Sequence, residues 1–457
     1  METPVGRPAR LLLGGVFLAY FVGTSLLYFH GPWTYPMPEG SGRLVSFLIA
    51  VQGAFAAGYL WGSRARPRAA RLPVSVGALV LLAAAVDLLL VFPTSALATG
   101  HWLPNPFAAL RDLGRAYSHS LTLRQFATPY AFYVRMFLAP LLAVGVPLGV
   151  YYWSTLSWKI RGLLVISVVA TIALYVAMGA NAGVVHWGIT IPWFVLAAHL
   201  AGVQRLGRRT WLAAGAVVIA LVVLGAVFFT ATMRYRPGSH AYLGYVEFMG
   251  AYLGDKAPDT AYVKAKLQSP EAAGRSTFRV GLDGLAFYLS HGYYAVHLSL
   301  HQPFVACYGV GNSMFLQRQA ARLTGNRRIL WCPYPARLGL DGWYVMSVWT
   351  TIYPWIASDV SFPGTLLVMG LIGWLSASVW VDVLGGRNPI AVAVLGQLLI
   401  LLYYVPAHNK IMQTGEGVFA FGVLLIAWLL TRGPSPLLPR GRGRTNKATP
   451  AGARTPG

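Results

Sequence analysis

The amino-acid sequence predicts an all-α polytopic membrane protein with about ten transmembrane helices and a large, partly helical outer loop subdomain. Of the 457 residues, 56% are hydrophobic and only 11% are charged, whereas soluble domains carry about a quarter charged residues. Apolar runs recur along nearly the whole chain, and short loops rich in Arg, Pro and Gly separate them. This pattern excludes a soluble globular enzyme, a disordered chain and a membrane β-barrel, whose strands alternate residue by residue.

Ten segments are apolar enough to cross a bilayer, which requires about 20 residues per helix. They are 11–29, 44–62, 73–93, 131–152, 162–178, 185–203, 211–231, 361–383, 390–406 and 414–431. The first segment follows two arginines but has no A-x-A cleavage site, so we expect a retained helix and not a signal peptide.

The distribution of Lys and Arg predicts that both termini are cytoplasmic. High Ala, Gly and Arg usage suggests a GC-rich bacterial genome, and therefore the cytoplasmic (inner) membrane of a bacterium. Basic residues concentrate in the loops of one side, at Arg7, Arg10, Arg64, Arg66, Arg68, Arg71, Lys159, Arg161, Arg205, Arg208, Arg209, Arg387 and the tail from Arg432. The short loops of the other side hold Arg43 and Lys410. We therefore attribute the net charge of +23 to topology signals and an anionic ligand, and expect no nucleic-acid partner.

This topology divides the chain into four regions. Residues 1–231 form an N-terminal bundle of seven helices with an outer loop at 94–130. Residues 232–358 form the outer subdomain, because a structureless loop of that length is unusual in a compact fold. Residues 359–431 supply three more helices, and residues 432–457 form a disordered basic cytoplasmic tail.

Arginines dominate the second half of the outer subdomain. Between 275 and 337 the acidic side chain is Asp283, and the arginines are Arg275, Arg279, Arg318, Arg322, Arg327, Arg328 and Arg337. The planar guanidinium group suits phosphate, so this cluster can bind the diphosphate of a lipid-linked substrate. A solvated face, or contact with anionic lipid headgroups, is the alternative.

An amphipathic helix is predicted within the same region, over 282–302. Leu282, Leu285, Leu289, Tyr293 and Val296 keep helical spacing on one side. Ser290, Tyr294, His297 and His301 fall on the other side, and Pro303 ends the helix. Histidine accepts a proton near neutral pH, so His291, His297 or His301 can activate an attacking sugar hydroxyl. Solvation of an interfacial helix is the competing interpretation.

The other outer loop contains a helix start at Asn105-Pro106. Arg111 and Arg115 then lie one turn apart on one predicted face, with His119 beyond. They can add a second cationic wall to the outer cavity, or belong to an interfacial helix lying on the bilayer.

Ionisable residues within the spans are expensive in hydrocarbon. Asp87 and Glu416 are expected to face a cavity or to pair with a cation, which for Glu416 is Lys410 by sequence proximity. Arg135 is expected to extend to the headgroups. Cys307 and Cys332 lie in the same outer loop, either as a disulfide or as two buried thiols.

Three short motifs give the sequence a family resemblance. They are Tyr288-Leu289-Ser290-His291-Gly292-Tyr293, then Trp349-Thr350-Thr351, then Asp359-Val360-Ser361-Phe362-Pro363-Gly364 leading into the eighth span. Their order resembles the Wzy-type O-antigen polymerases, the oligosaccharide repeat-unit polymerases, which show a YL..GY helix in the outer loop and a W-T…D-F-G-x-x-G entry into the next span. The resemblance covers about 230 to 430.

The resemblance implies a metal-independent membrane glycosyltransferase without a cofactor. Such enzymes join undecaprenyl-diphosphate-linked repeat units at the outer face of the cytoplasmic membrane, alongside a flippase and a chain-length regulator. It implies diphosphate binding by Arg275, Arg279, Arg318, Arg322 and Arg337. It implies a hydroxyl-activating outer-loop His, for which His301, eight residues before Gly309, fits best. Asp359 is a further candidate catalytic residue, with helix N-capping as its alternative role.

The sequence also departs from the family pattern. Val360 and Ser361 stand where D-F-G-x-x-G has Phe and its first Gly, and Arg279 has no Gly at the family's Arg-x10-Gly spacing. The family often has an Arg near the start of the sixth span. That Arg is absent from residues 179–183, and the nearest basic residue is His186.

Three other functions compete. An O-antigen ligase shares the substrate and differs in its acceptor. A polyprenyl-phosphate-sugar glycosyltransferase needs an acidic pair in the first outer loop, where Glu39 stands alone. A transporter or flippase for an anionic lipid-linked glycan would depend on Asp87 in a central cavity.

Overall fold

The computed structural model describes residues 6–37, 40–70, 72–126, 129–180, 182–205, 207, 215–216, 277–343 and 349–432. Their helices are α1 (Arg7–His30), α2 (Gly42–Gly62), α3 (Val76–Thr99), α4 (Pro106–Arg111), α5 (Leu113–Phe126), α6 (Pro129–Tyr151), α7 (Trp158–Ala177), α8 (Ala182–Leu200), α9 (Thr277–Leu300), α10 (Met314–Thr324), α11 (Tyr334–Leu338), α12 (Ile352–Leu384), α13 (Pro389–Tyr403) and α14 (Gly415–Arg432). The chain is an all-α polytopic membrane protein, as predicted.

Nine of the ten predicted spans coincide with helices of the structure. Seven helices are long and apolar enough to cross a membrane by themselves: α1, α2, α3, α6, α7, α12 and α14. Two shorter apolar helices, Val185–Leu200 and Pro389–Tyr403, correspond to the sixth and ninth predicted spans. The predicted span at 211–231 falls outside the described residues, apart from 215–216, and so does the tail from 433.

The loops with predicted cytoplasmic arginines gather at one end of the bundle, which we call the terminus face. The guanidinium of Arg10 donates to the Ala65 carbonyl at 3.3 Å, and the backbone N–H of Ala70 donates to the Arg387 carbonyl at 3.0 Å. Asp382, fully buried, accepts from the backbone N–H of Arg68 and from the Trp428 indole, both at 2.9 Å. The opposite end, which carries residues 301–343, is the loop face.

Helices α2 and α12 pack along their length through glycines. A Cβ added to Gly58 would overlap the carbonyl oxygen of Gly370, and one added to Gly373 would overlap that of Phe55. Gly58 and Gly62 form a G-x-x-x-G pair, the spacing that lets two membrane helices approach closely. This contact holds the first and second halves of the chain together.

The predicted helix at 282–302 exists, as α9, and it ends at Leu300 before Pro303. Its predicted amphipathic arrangement is wrong. Leu282 and Leu285 are exposed, whereas Ser290, Tyr294 and His297 on the predicted polar side are buried. The reason is that α9 packs across the loop face. Its Tyr293 hydroxyl bonds Thr24 of α1 at 2.8 Å, and Tyr294 lies between Tyr35 and Trp343, so protein surrounds both sides.

The eighth predicted span, 361–383, is the second part of a longer helix. Helix α12 begins at Ile352, capped by the Thr351 hydroxyl, and breaks at Ser361, where φ is 63° and ψ is 172°. Only glycine adopts that region without strain. Ser361 therefore occupies, in a glycine-like conformation, the position where the resembling pattern has glycine.

The helix start at Asn105-Pro106 is confirmed, because the Asn105 side chain accepts from the Ala108 N–H at 3.0 Å. However, Arg111 and Arg115 do not share one helix face. Helix α4 ends at Arg111, and the carboxylate of Asp112 accepts from the Arg115 N–H at 2.9 Å to start α5. This second cap interrupts the helix that the sequence predicted as continuous.

Candidate functional site

Residues 301–343 fold as one unit on the loop face, which we call the arginine segment. A disulfide joins Cys307 to Cys332, so the two cysteines are paired and not free thiols. The N–H of Cys307 also donates to the Ser358 carbonyl of α12 at 3.2 Å. Further along, the Phe315 ring of α10 packs near Phe132 of α6. The segment is thereby fastened to the bundle at several points.

Asp359 anchors this segment to the bundle. Its Oδ1 accepts from the backbone N–H groups of Gly309 and Gly311 at 2.9 and 2.8 Å. Its Oδ2 accepts from the backbone and side chain of Asn312 at 2.9 and 3.1 Å. The alternative role of capping the N-terminus of the eighth span is wrong, because Asp359 lies inside α12. Both carboxylate oxygens instead hold the 309–312 loop.

Four arginines of the segment point into solvent. Arg318 and Arg322 lie one turn apart on α10, Arg327 and Arg328 follow in a short 3-10 helix, and all four are exposed. Within the described part of the chain, the ion pairs are formed by Arg135 and Arg432, and no carboxylate lies within 4.0 Å of these four. These four side chains therefore carry positive charge that no described carboxylate pairs with.

Arg337 contacts the backbone two residues beyond His301, just after the end of α9. Arg337 donates from Nη1 to the Pro303 carbonyl at 2.8 Å and lies over the Tyr334 ring at 4.6 Å. His301, two residues before Pro303, is half-buried and contacts the His297 carbonyl through Nδ1 at 2.9 Å. A carbonyl only accepts, so Nδ1 carries the proton and Nε2 is the basic nitrogen.

His291 and His297 are buried in the helix packing. The Nδ1 of His291 donates to the Phe287 carbonyl at 2.7 Å, and its ring stacks on Phe287. Burial lowers the pKa of His291 to about 4, against the opposing effect of that hydrogen bond. A base of that pKa accepts protons poorly at neutral pH. Of the three predicted histidines, His301 is thus the best placed for proton transfer.

The remaining predicted arginines are not part of this arrangement as described. Arg275 lies outside the described residues, and Arg279 belongs to α9 with a side chain outside the description. Arg111 and Arg115 are exposed near α3 and α7, where α4 packs on α7 and α5 on α3.

A second polar region lies within the bundle. A cavity of about 190 Å³ opens between α3, α6, α7, α8 and α13. Its polar lining comprises Asp87, Arg135, Ser167, Thr171, Tyr175, His186, Trp187, Thr190 and Gln397. It extends from Asp87 in the middle of α3 to residues near the loop face, so it penetrates the membrane core.

The two intramembrane carboxylates are separately satisfied. Asp87 accepts from the hydroxyls of Ser167 and Thr171 at 2.6 and 2.8 Å, both on α7. Glu416 pairs with the Arg135 Nε at 3.0 Å, so its predicted pairing with Lys410 is wrong. Arg135 also donates to Thr94 at 2.9 Å and turns into the bundle, not toward headgroups. Glu416 of α14 therefore pairs with an arginine of α6, which is distant in sequence, and not with the lysine six residues before it.

Lys410 occupies a different position beside this cavity. Its ammonium lies 5.8 Å from the centroid of the Tyr404 ring, and the His186 ring packs edge-on to the same tyrosine, with 5.6 Å between the ring centroids. Burial lowers the pKa of Lys410. Burial, and then the charge of Lys410, lower the pKa of His408 to about 3, so His408 is neutral at physiological pH.

Sequence reasoning missed most of the cavity lining, although one signal was present. Ser167, Thr171 and Tyr175 recur every four residues along the fifth span, which marks one polar helix face. Together with Asp87 in the third span, that face predicts a polar interior. Gln397, in the ninth predicted span, offered no comparable spacing.

No family model matches the chain, and no curated protein or solved structure does either. In the described ranges no three His, Cys, Asp or Glu side chains are grouped as a metal site, and metal independence stays a prediction. The fold and the two polar regions define the class: a multi-pass helical membrane protein with an arginine-rich unit on one face.

Proposed function

We propose that this protein polymerises undecaprenyl-diphosphate-linked oligosaccharide repeat units into a surface polysaccharide. The observation that carries the proposal is the arginine segment: a disulfide-closed unit, fixed to the membrane bundle, that exposes four arginines with no carboxylate against them in the described chain. Such a surface at a membrane end suits a diphosphate joined to a lipid. The family resemblance of the second half adds to it.

The proposed reaction uses the segment and the end of α9. The arginines bind the donor diphosphate and stabilise the charge that develops on it as the glycosidic bond breaks. Nε2 of His301 takes the proton of the acceptor hydroxyl, whose oxygen bonds to the anomeric carbon of the donor. Undecaprenyl diphosphate leaves. Arg337, held at Pro303 two residues from His301, is the arginine that links the two parts.

The proposal requires the loop face to be extracytoplasmic and the terminus face, with its basic loops, to be cytoplasmic. Membrane lipids surround the bundle, and a flippase and a chain-length regulator are proposed partners in the same pathway.

The test is a glycan ladder from cells lacking the gene, complemented with wild type or with an Arg318→Ala/Arg322→Ala double variant. We expect wild type to restore long chains and the double variant to leave single repeats. Arg66→Ala is the matched control, because Arg66 is exposed on the opposite face. Equal ladders from the double variant and the control would contradict the proposal. A product capped once on a different acceptor would indicate an O-antigen ligase instead.

Metal independence is tested on purified protein with lipid-linked repeats. We expect EDTA to leave elongation unchanged; activity that is lost and then restored only by a divalent cation would contradict it.

A transporter or flippase is the second candidate, favoured by the cavity that brings Asp87 and Arg135 together inside the bundle. It predicts that Asp87→Asn abolishes function and that lipid-linked repeats accumulate on the inner leaflet without loss of polymerising activity.

A further inference from the structure

The intramembrane cavity differs in chemistry from the exposed surface of the arginine segment, because its lining combines both charges with neutral polar and aromatic side chains. We infer that it binds one neutral sugar ring. The inference deepens the proposed function, since the sugar ring would belong to the glycan substrate. It rests on the proposed function only for the identity of the molecule that carries this ring. Binding itself is a property of the cavity and can be measured without turnover.

The size of the cavity fits a single ring. Its volume is about 190 Å³, whereas an apolar cavity of about 150 Å³ holds a benzene molecule. The cavity therefore has room for one six-membered ring and is too small to enclose two. An acyl chain would meet a carboxylate and a guanidinium, which its methylene groups cannot satisfy.

The charges of the lining favour a neutral ligand. Asp87 and Arg135 contribute opposite charges, and Arg135 is already paired with Glu416. An anion entering the cavity would approach the Asp87 carboxylate, and a cation would approach the Arg135 guanidinium. Because the lining carries one charge of each sign, it has no net charge that would favour either ion.

Two buried polar groups of the lining have no hydrogen-bond partner among the described residues. They are Nε2 of His186 and the indole N–H of Trp187. Buried polar groups are normally satisfied, so these two indicate a ligand or water in the cavity. Asp87 has further acceptor capacity, since its carboxylate offers about four lone-pair sites and two hydroxyls occupy Oδ2.

The lining also offers an apolar surface. The rings of Tyr175, Trp187 and Phe194 line the same space. A pyranose has hydroxyl groups around its edge, which both donate and accept, and C–H groups on its faces. The combination of a carboxylate, an imidazole, an indole N–H and aromatic rings matches both features, as in small-molecule sites with few convergent polar groups.

The experiment uses the purified full-length protein in nanodiscs. Saturation-transfer NMR is recorded with the methyl glycosides of glucose, galactose and N-acetylglucosamine, and phosphorus line broadening is recorded with inorganic pyrophosphate. We expect at least one glycoside to bind. We expect Asp87→Asn to abolish the signal. We expect Trp187→Phe, which removes the indole N–H and leaves a smaller aromatic ring, to weaken binding about fivefold.

Ser299→Ala is the matched control, because Ser299 is buried and donates only to the Ala295 carbonyl of its own helix. Absence of binding by all three glycosides at tens of millimolar would overturn the inference and leave a water-filled cavity. So would glycoside binding that both cavity variants leave unchanged, or pyrophosphate binding that Asp87→Asn strengthens while no sugar binds.

The Arg318→Ala/Arg322→Ala variant separates this inference from the proposed function. Sugar binding that persists in it, alongside a normal glycan ladder, would refute the polymerase mechanism and keep the cavity assignment. If the ladder collapses in this variant and the wild-type protein binds no sugar, the polymerase mechanism is supported and the cavity assignment is refuted.

Discussion

At the scale of single residues, the carboxylate of Asp359 is the most heavily bonded group of the candidate site. It accepts three backbone N–H groups and one side-chain N–H from the 309–312 loop. A residue in that position can be conserved in a motif for catalysis or for anchoring. The contacts assign it the anchoring role, through which it positions the arginine segment.

Replacing Asp359 by Asn is expected to destabilise the protein by about 3 kcal/mol, because hydrogen bonds to a charged acceptor contribute about 1.5–3 kcal/mol each and the Asn amide faces further donors. Chemical unfolding in detergent measures it. Asn312→Ala, which removes one of the four bonds, should cost less, about 1.5 kcal/mol. Loss of chain elongation with unchanged stability would instead make Asp359 catalytic.

Ser361 carries backbone strain in its positive-φ conformation. We expect Ser361→Gly to raise the free energy of unfolding by about 1 kcal/mol, since relief of about 1–3 kcal/mol exceeds the entropy cost of glycine. Ser376→Gly, in the regular part of α12, should lower it by about the same amount. Thermal unfolding compares the two, and a loss of stability in Ser361→Gly would show that the strain is absent.

At the scale of elements, the glycine contact between α2 and α12 decides how the two halves of the chain assemble. Van der Waals packing, not the hydrophobic effect, drives such association in lipid. The contact requires that Gly58 and Gly373 stay without side chains, because backbone carbonyls occupy the space.

Gly58→Leu is expected to prevent assembly of the bundle, seen as loss of the monodisperse peak in size-exclusion chromatography. Gly53→Leu is the matched control on the same helix, since a Cβ there meets nothing within 4 Å, and it should leave the peak unchanged. Equal behaviour of the two variants would contradict the close approach of α2 and α12.

Helix α9 shows how packing against other helices buries a polar helix side. Its sequence places apolar residues on one side of the helix and polar residues on the other, yet Tyr293 on the first side and Ser290 and Tyr294 on the second are all buried. The Tyr293 hydroxyl bonds Thr24 of α1, and the Ser290 hydroxyl donates to the Ala286 carbonyl of α9 itself. A polar stripe therefore marked a contact with protein, not with solvent.

At the scale of the whole molecule, the disulfide and the charge distribution both bear on which side of the membrane the loop face occupies. Disulfides persist in oxidising compartments, so the pair Cys307–Cys332 supports the prediction that the loop face is extracytoplasmic. All predicted cytoplasmic loops that the structure describes gather at the opposite face.

This topology is tested by cysteine labelling in intact cells. The two native cysteines should react only after reduction. Leu340→Cys, exposed on the loop face, should react with a membrane-impermeant maleimide, whereas Ser157→Cys, exposed on the terminus face, should react only with a permeant one. The reverse pattern would place the arginine segment in the cytoplasm and remove the proposed function.

The sequence by itself determined the fold class and the existence of nine spans, because hydrophobic length acts locally. It also determined which basic loops share a face. Only the tertiary structure decided the partners: Glu416 with Arg135, Asp359 with the 309–312 loop, and Cys307 with Cys332. The physical reason is distance along the chain. Each of these contacts joins residues 25 or more positions apart, and their pairing depends on how the helices pack, not on any local pattern.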